Sequence, residues 1–333
     1  MKKTLSILLA ILLVVASTCA IAEEFDWSGS GTVTVYCGHD EAMATEIFNA
    51  FTEKTGVTVE PVFGGGGELM ARIEAEAENP LCDCVYGVSA SLLPAHVDLF
   101  EKYTINSVTP AQIGLKRDEF GEDYWFGGAG GSIMVFLVNK DMMSEEEMPR
   151  SWADLTDEKY FGKIGFTDPS ASSSAYIQLC IMQQLYGWDF VEAFYKNLDG
   201  KIQSSSSAVP RGCVDGEYPI AVTLEHMSAD YIASGANVEV IYPEDGTMET
   251  QSGKVILKGC KNPENAQLFV EFTYSEEVAE IFNSYHRRSA RADVAPAAGL
   301  ANYDDIVFMD YDDEQASDTE GILAKWNEIV INN

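Results

Sequence analysis

The sequence predicts an α/β fold of two lobes, each built around a mostly parallel sheet. Three observations predict it. Strand-like and helix-like segments alternate through the first 90 residues, a pattern that favours parallel strands joined by right-handed crossovers. After a leader is set aside, about 310 residues remain, enough for two ordinary domains. No Pro/Gly/Ser-rich tether separates two halves, so the lobes are expected to share strands that cross between them.

The leader comes first. Lys2 and Lys3 precede the apolar run Leu5 to Ala16, and Ala20-Ile21-Ala22 forms a small-x-small cleavage site. This is a secretory signal peptide over residues 1–22, with an apolar run too short to span a bilayer comfortably. Cys19 raises lipid attachment as an alternative, although Ala16-Ser17-Thr18 fits a lipoprotein cleavage site poorly; cleavage after Ala22 is the favoured reading.

"TVTVYCG" (32–38) alternates as a strand. "HDEAMATEIFNAFTEKTG" follows as a helix capped by Asp40, stopped by Gly56, with Met43, Ile47, Phe48 and Phe51 on one face. "VTVEPVF" is the second strand, the glycine run Gly64 to Gly67 opens a second helix, and "CDCVYGV" is the third strand. Later strands are "GSIMVFLVNKD", "KIGFTD", "YPIAVTLEH" and "VEVIYP". Later helices include "AYIQLCIMQQLYGW", "FVEAFYKNL", "PENAQLFVEF" after Asn262, "EEVAEIFNSY" after Ser275, and a last one around Glu320 to Val330. Crossings are expected near 125–133 and 240–253. The first lobe would then hold 23–128 plus about 250–333, and the second about 129–249.

Charge narrows the partners. Without the leader, 19 basic residues face 53 acidic ones, a net charge near −34. Such a surface repels nucleic acid and anionic lipid, and any anionic ligand needs a local positive pocket. The six remaining cysteines, Cys37, Cys82, Cys84, Cys180, Cys213 and Cys260, are too sparse for a disulfide scaffold. They read as buried fillers or unpaired thiols, or as one or two disulfides. Cys82 and Cys84, two apart in a strand, are expected on one face.

In open α/β sheets, ligands sit beyond the carboxyl ends of the strands. Those ends here carry Cys37 and His39, then Gly65, Gly66 and Gly67, then Ser89, then Ser172, Ser173 and Ser174, then Glu225 and His226, with Ser206 ahead of the last strand. Each run alone is an ordinary turn or helix cap. Together they offer bare amides and small hydroxyls suited to a phosphate, phosphonate or carboxylate. The glycine run lacks the Gly-Lys-Ser/Thr of a nucleotide-binding P-loop and the spacing of a dinucleotide fingerprint. His39, Glu68 and His226 are an alternative metal set. The basic cluster His286, Arg287, Arg288 and Arg291 either supplies local positive potential or neutralises nearby acids. No Gly-x-Ser-x-Gly elbow or His-Glu-x-x-His pair is present, so no enzyme is expected, and no cofactor.

Several passages resemble one family. "TVYCGHDEAMATEIFNAFTEKTGVTVE", "ENPLCDCVYGV", "SWADLTDEKYFGKIGFTDPSASSS", "GEYPIAV" and "LKGCKNPENAQLFVEFTYSEE" are similar to landmarks of the solute-binding proteins of ABC importers, in the branch that binds ferric iron, thiamine, phosphonates and sugar phosphates. The resemblance implies a periplasmic-binding-protein fold with a hinge and an interlobe cleft, closure on one small molecule, and a secreted monomer, lipid-anchored or free, that delivers to ABC permease subunits. It implies an adjacent tyrosine pair in ferric binders, where this chain has His226 and Met227. It also implies a glutamate after a Ser-rich loop in phosphonate binders, which Glu225 matches. An anionic organic ligand is the expectation, with ferric iron or thiamine as the alternative and an extracellular hydrolase as the reading outside the class.

Overall fold

The computed structural model describes residues 25–108, 131–291 and 293–333. The expected leader, with Cys19, lies outside these residues, as do the chain from 109 to 130 and most of the expected first crossing.

The first sheet runs in the order β2 (Thr58–Phe63), β1 (Thr32–Cys37), β3 (Cys84–Ser89), β11 (Ser252–Leu257), β4 (Phe100–Glu101). β1 pairs in parallel with β2 and with β3. Helix α1 (Glu41–Thr55) connects β1 to β2, and α2 (Gly66–Ala75) leads on from β2 towards β3. Asp40 caps α1 through bonds from the amides of Ala42 (3.0 Å) and Met43 (3.3 Å), and Gly56 ends it at φ 79°. α1 buries Met43, Ile47, Phe48 and Phe51 against α7 (Pro263–Phe272) and α8 (Glu276–Ser284) in one core.

The second sheet orders β10 (Glu249–Thr250), β5 (Ser132–Asn139), β8 (Ile220–Leu224), β6 (Ile164–Thr167), β7 (Ile202–Gln203), with β9 (Val238–Ile241) also on β5. Helices α3 (Ser173–Tyr186) and α4 (Trp188–Leu198) follow β6, α5 (Ala208–Val214) precedes β8, and α6 (Glu225–Ala233) follows it. All eight residues of β5 are buried, as a strand covered on both faces requires.

The parallel strands β6, β7 and β8 carry the expected theme, but β5 and β11 run antiparallel to β8 and β3. The reason is the crossing. A strand that enters a sheet from the other lobe starts at the carboxyl edge of the resident strands, so it must run against them. At one crossing a single residue, Gln251, separates β10 in the second sheet from β11 in the first.

One expectation about the lobes is corrected. The sequence places the C-terminal segment, to residue 333, in the first lobe. Helices α9 (Asp313–Ala316) and α10 (Thr319–Asn332) pack on the second instead, where Trp326, 1 % exposed, meets Phe166 and Tyr195. The apolar stripe Ile322, Trp326 and Ile329 finds its complement on α4 and β6, a choice that helix periodicity alone does not reveal. Cys82 and Cys84 also part company: Cys82 joins the cluster on the α2 side of the first sheet and Cys84 the cluster on the α1 side. Cys82 precedes the paired strand, so alternation does not reach it. All six described cysteines are free thiols.

Candidate functional site

The parallel pairing sets one edge of each sheet. The carboxyl ends of β1, β2 and β3 present Gly38 to Asp40, Gly64 to Gly67, and Ser89 on the same edge of the first sheet. On the second, the ends of β6 and β8 present Asp168 to Ser174 and Glu225–His226, and Ser132 arrives beside them because β5 begins there.

Gly65 is the N-cap of α2, extended at φ −66°, ψ 146°. A Cβ at Gly65 or Gly67 would have nothing within 4 Å, and neither residue has positive φ. Neither packing nor backbone conformation of the protein explains these glycines. Gly66 is different, since its Cβ would stand 3.1 Å from Leu92. Ser172 caps α3 by accepting from the Ala175 amide (3.4 Å) and shares a 2.9 Å hydrogen bond with Ser174. Ser173 is the exposed first residue of α3, and Ser89 bonds Ser91 at 2.8 Å. Ser206 is half-buried between Ser205 and Ser207 in the loop before α5.

His39 does not reach freely into solvent. Its ring packs edge-on against Tyr86 (4.6 Å) and Phe282 (5.7 Å), and sits so tightly on Gly87 that a Cβ there would come within 2.3 Å of it. The Cys37 side chain is not at the site. It is fully buried in the first core, burial pushes its thiol up to about 12, and its carbonyl accepts from the loop amide of Gly64 (3.2 Å).

Glu225 was expected to face a ligand. Both its oxygens are taken by protein: Arg288 Nε donates to Oε2 at 2.8 Å, Arg288 Nη2 to Oε1 at 2.6 Å, and the Tyr242 hydroxyl also donates to Oε1. Arg288 follows α8, between residues of the first core, while Glu225 heads α6 on the second sheet. The pair therefore fastens one lobe to the other. Its neighbour His226 keeps Nδ1 in a 3.0 Å hydrogen bond with Ser132 Oγ. Burial, with help from the Arg287 charge, lowers this imidazole to about 3, so it is neutral at physiological pH.

The rest of the basic cluster divides cleanly. His286 bonds Asp230 (2.7 Å) and Arg291 grips Asp293 (2.6 Å, twice). Glu249, on β10, lies against Gly131, whose Cβ would meet its Oε1 at 1.9 Å, and accepts from Tyr303 at 3.0 Å. Burial raises its carboxyl to about 7. Among the described residues no group of three His, Cys, Asp or Glu side chains is placed to hold a metal, so His39, Glu68 and His226 do not assemble the alternative site. Arg288, Tyr242, Glu249 and Ser132 were not singled out by sequence. Only Arg288 carried a signal, as part of a basic cluster in an acidic chain.

A cavity of about 250 Å³ lies elsewhere, at the amino ends of the parallel strands, lined by Ile73, Cys82, Leu99 and Leu257. It shares none of the residues above. The interlobe edge, where polar groups and helix starts gather, is the better candidate site.

A profile of bacterial extracellular solute-binding proteins matches residues 95–314. The chain belongs to this family. Like its relatives, this solute-binding protein is a binder rather than an enzyme. It is 28% identical over 331 residues to an uncharacterized protein of Haemophilus influenzae, covering 93% of this chain and 95% of that one. It is 24% identical over 303 residues to a Salmonella paratyphi A protein whose name assigns it to 2-aminoethylphosphonate, covering 86% of each. It is 23% identical over 295 residues to the major ferric iron-binding protein of Neisseria meningitidis serogroup B, covering 83% of each. The solved structure of the periplasmic binding protein AfuA from Actinobacillus pleuropneumoniae, with fructose-6-phosphate bound, superposes with a TM-score of 0.69 at 26% identity, covering 90% of this chain and 98% of that one.

Proposed function

We propose that this solute-binding protein captures a small anionic organic ligand, phosphorylated or phosphonate-like, between its lobes, outside the cytoplasm, and delivers it to the permease of an ABC importer. The observation that carries the reading is the pair Gly65 and Gly67, bare at the start of α2 with no demand from the protein's own packing or backbone. Such a bare helix start lets oxyanion oxygens approach amides that the helix leaves unpaired. Ser172 to Ser174 bring hydroxyls and a second helix start on the other lobe. Binding to both lobes at once stabilises the closed form by differential affinity.

Two relatives point the same way by name, one to a phosphonate and one to a sugar phosphate. The ferric alternative finds less support among the described residues, where no group of three His, Cys, Asp or Glu side chains is placed to hold a metal. Hard ferric iron requires several anionic oxygens, and Glu225 has spent both of its own on Arg288 and Tyr242. Titration calorimetry of the mature chain against fructose-6-phosphate, 2-aminoethylphosphonate and ferric citrate tests this. Saturable binding of an organophosphorus anion supports it, and binding of ferric citrate alone overturns it.

A further inference from the structure

Arg287 is the member of the basic cluster left without a close partner among the described residues. It follows His286, which is paired with Asp230, and precedes Arg288, which is paired with Glu225. Its own guanidinium is half-buried, yet among the described residues it has no side-chain hydrogen bond and no carboxylate within ion-pair distance. Its electrostatic neighbours locate it. Asp40 lies at the head of α1 on the first lobe, while Asp230 and His226 lie on α6 of the second. Its chain neighbours His286 and Arg288 both bond side chains of α6, so Arg287 stands beside α6 of the second lobe and near the head of α1 on the first.

A partly desolvated guanidinium without a partner is costly, and proteins rarely keep one without a use. Asp40 and Asp230 attract it from a distance: each has one oxygen engaged elsewhere, by two amides of α1 and by His286, and neither stands within ion-pair distance of Arg287. His226 cannot neutralise it, and an imidazolium beside it would repel it; burial and the Arg287 charge keep that ring neutral. The result is a single fixed positive charge, flanked by a neutral ring with Nδ1 held by Ser132, inside an otherwise strongly acidic protein.

We infer that Arg287 is the charge anchor for the ligand's anionic group, its planar fork taking two oxygens of a phosphate or phosphonate while the helix starts take the others. The fork suits a tetrahedral oxyanion better than a lysine ammonium does. Because the anchor sits beside α6 of one lobe and near the head of α1 on the other, the anion it holds is also the one that both lobes touch on closure. This inference rests on the anionic-ligand reading above and deepens it.

The test compares wild type, Arg287→Gln, Arg287→Lys and, as a control, Arg291→Gln, by calorimetry with fructose-6-phosphate, 2-aminoethylphosphonate and inorganic phosphate at two salt concentrations. Loss of one charge-assisted anchor should weaken the bound anion about 10- to 100-fold in Arg287→Gln. Arg287→Lys should fall between, with its charge kept and its fork lost. Arg291→Gln should bind like wild type. Unliganded Arg287→Gln should melt at or above the wild-type temperature, because no internal pair is broken; a purely structural arginine would lower it. Anion binding within about threefold of wild type in Arg287→Gln overturns the anchor alone. A wild-type chain that binds none of the three anions overturns the anchor and the ligand reading together.

Discussion

Arg288 grips Glu225 from across the two lobes, with Nε at 2.8 Å from one carboxylate oxygen and Nη2 at 2.6 Å from the other. The Arg288 side chain is 7% exposed and that of Glu225 2%, so the pair is shielded from water and salt. Arg288 also donates to the Ala301 carbonyl at 2.7 Å. Removing one partner strands a buried charge, which costs about 3–5 kcal/mol. Glu225→Gln and Arg288→Gln are each expected to lower stability by that order, and the double variant by less than their sum. Urea midpoints in a double-mutant cycle read this directly. Single variants within about 0.5 kcal/mol of wild type would show that the pair is not a fastening.

Glu249 predicts a pH dependence. Its carboxyl is raised from the ordinary value near 4.5 to about 7, mainly by burial, with Glu225 as the nearby like charge and Arg288 as the opposing cation. The folded chain therefore holds a proton that the unfolded chain releases between pH 4.5 and about 7. Stability from this group is complete below the lower value and is lost as pH rises through the upper one. The difference amounts to at most about 3 kcal/mol. Denaturation midpoints at pH 5 and pH 8 should differ less in Glu249→Gln than in wild type. An unchanged difference would contradict the assignment.

Two glycines should respond in opposite ways. Gly87 has φ +84°, and a Cβ there would reach the His39 ring at 2.3 Å. Gly87→Ala should cost about 1–3 kcal/mol in backbone strain alone. Gly67 lies in α2 with open space around its Cβ. Gly67→Ala should stabilise the protein by about 0.5–1 kcal/mol and still weaken ligand binding. A variant that gains stability and loses affinity is what a bare backbone kept for a ligand predicts; unchanged affinity would remove that reason for the glycine.

The C-terminal helix should be part of the second lobe's stability. Trp326 fills a space between Phe166 and Tyr195, and Trp326→Ala should destabilise by about 3–5 kcal/mol. Tryptic protection of 131–250 should fall with it. Loss of protection confined to 25–108 would contradict the packing.

How much of this was legible follows residue by residue. The β1–α1–β2–α2–β3 order was readable because Asp40, Gly56 and the Met43–Ile47–Phe51 stripe are local signals, and the structure places them as caps and core. The cleft edge followed from parallel order, which brings Gly65, Ser89 and Ser172 to strand ends. The fate of Glu225 was not readable. Its partner lies 63 positions away, and a buried carboxylate reads in sequence like any of the chain's many acids. Cys37 misled because strand ends alternate faces, and one residue decides between cleft and core. The C-terminal helix misled because amphipathicity names a buried face, not the surface it meets.

The most direct test of the central claim is the melting temperature of the mature chain with and without excess ligand. Binding at 100 times the dissociation constant adds about 2.7 kcal/mol to stability, several degrees for a chain of this size. A rise with fructose-6-phosphate or 2-aminoethylphosphonate that disappears in Arg287→Gln is the predicted result. A rise with ferric citrate alone, with visible charge-transfer colour and no response to organophosphorus anions, would contradict it.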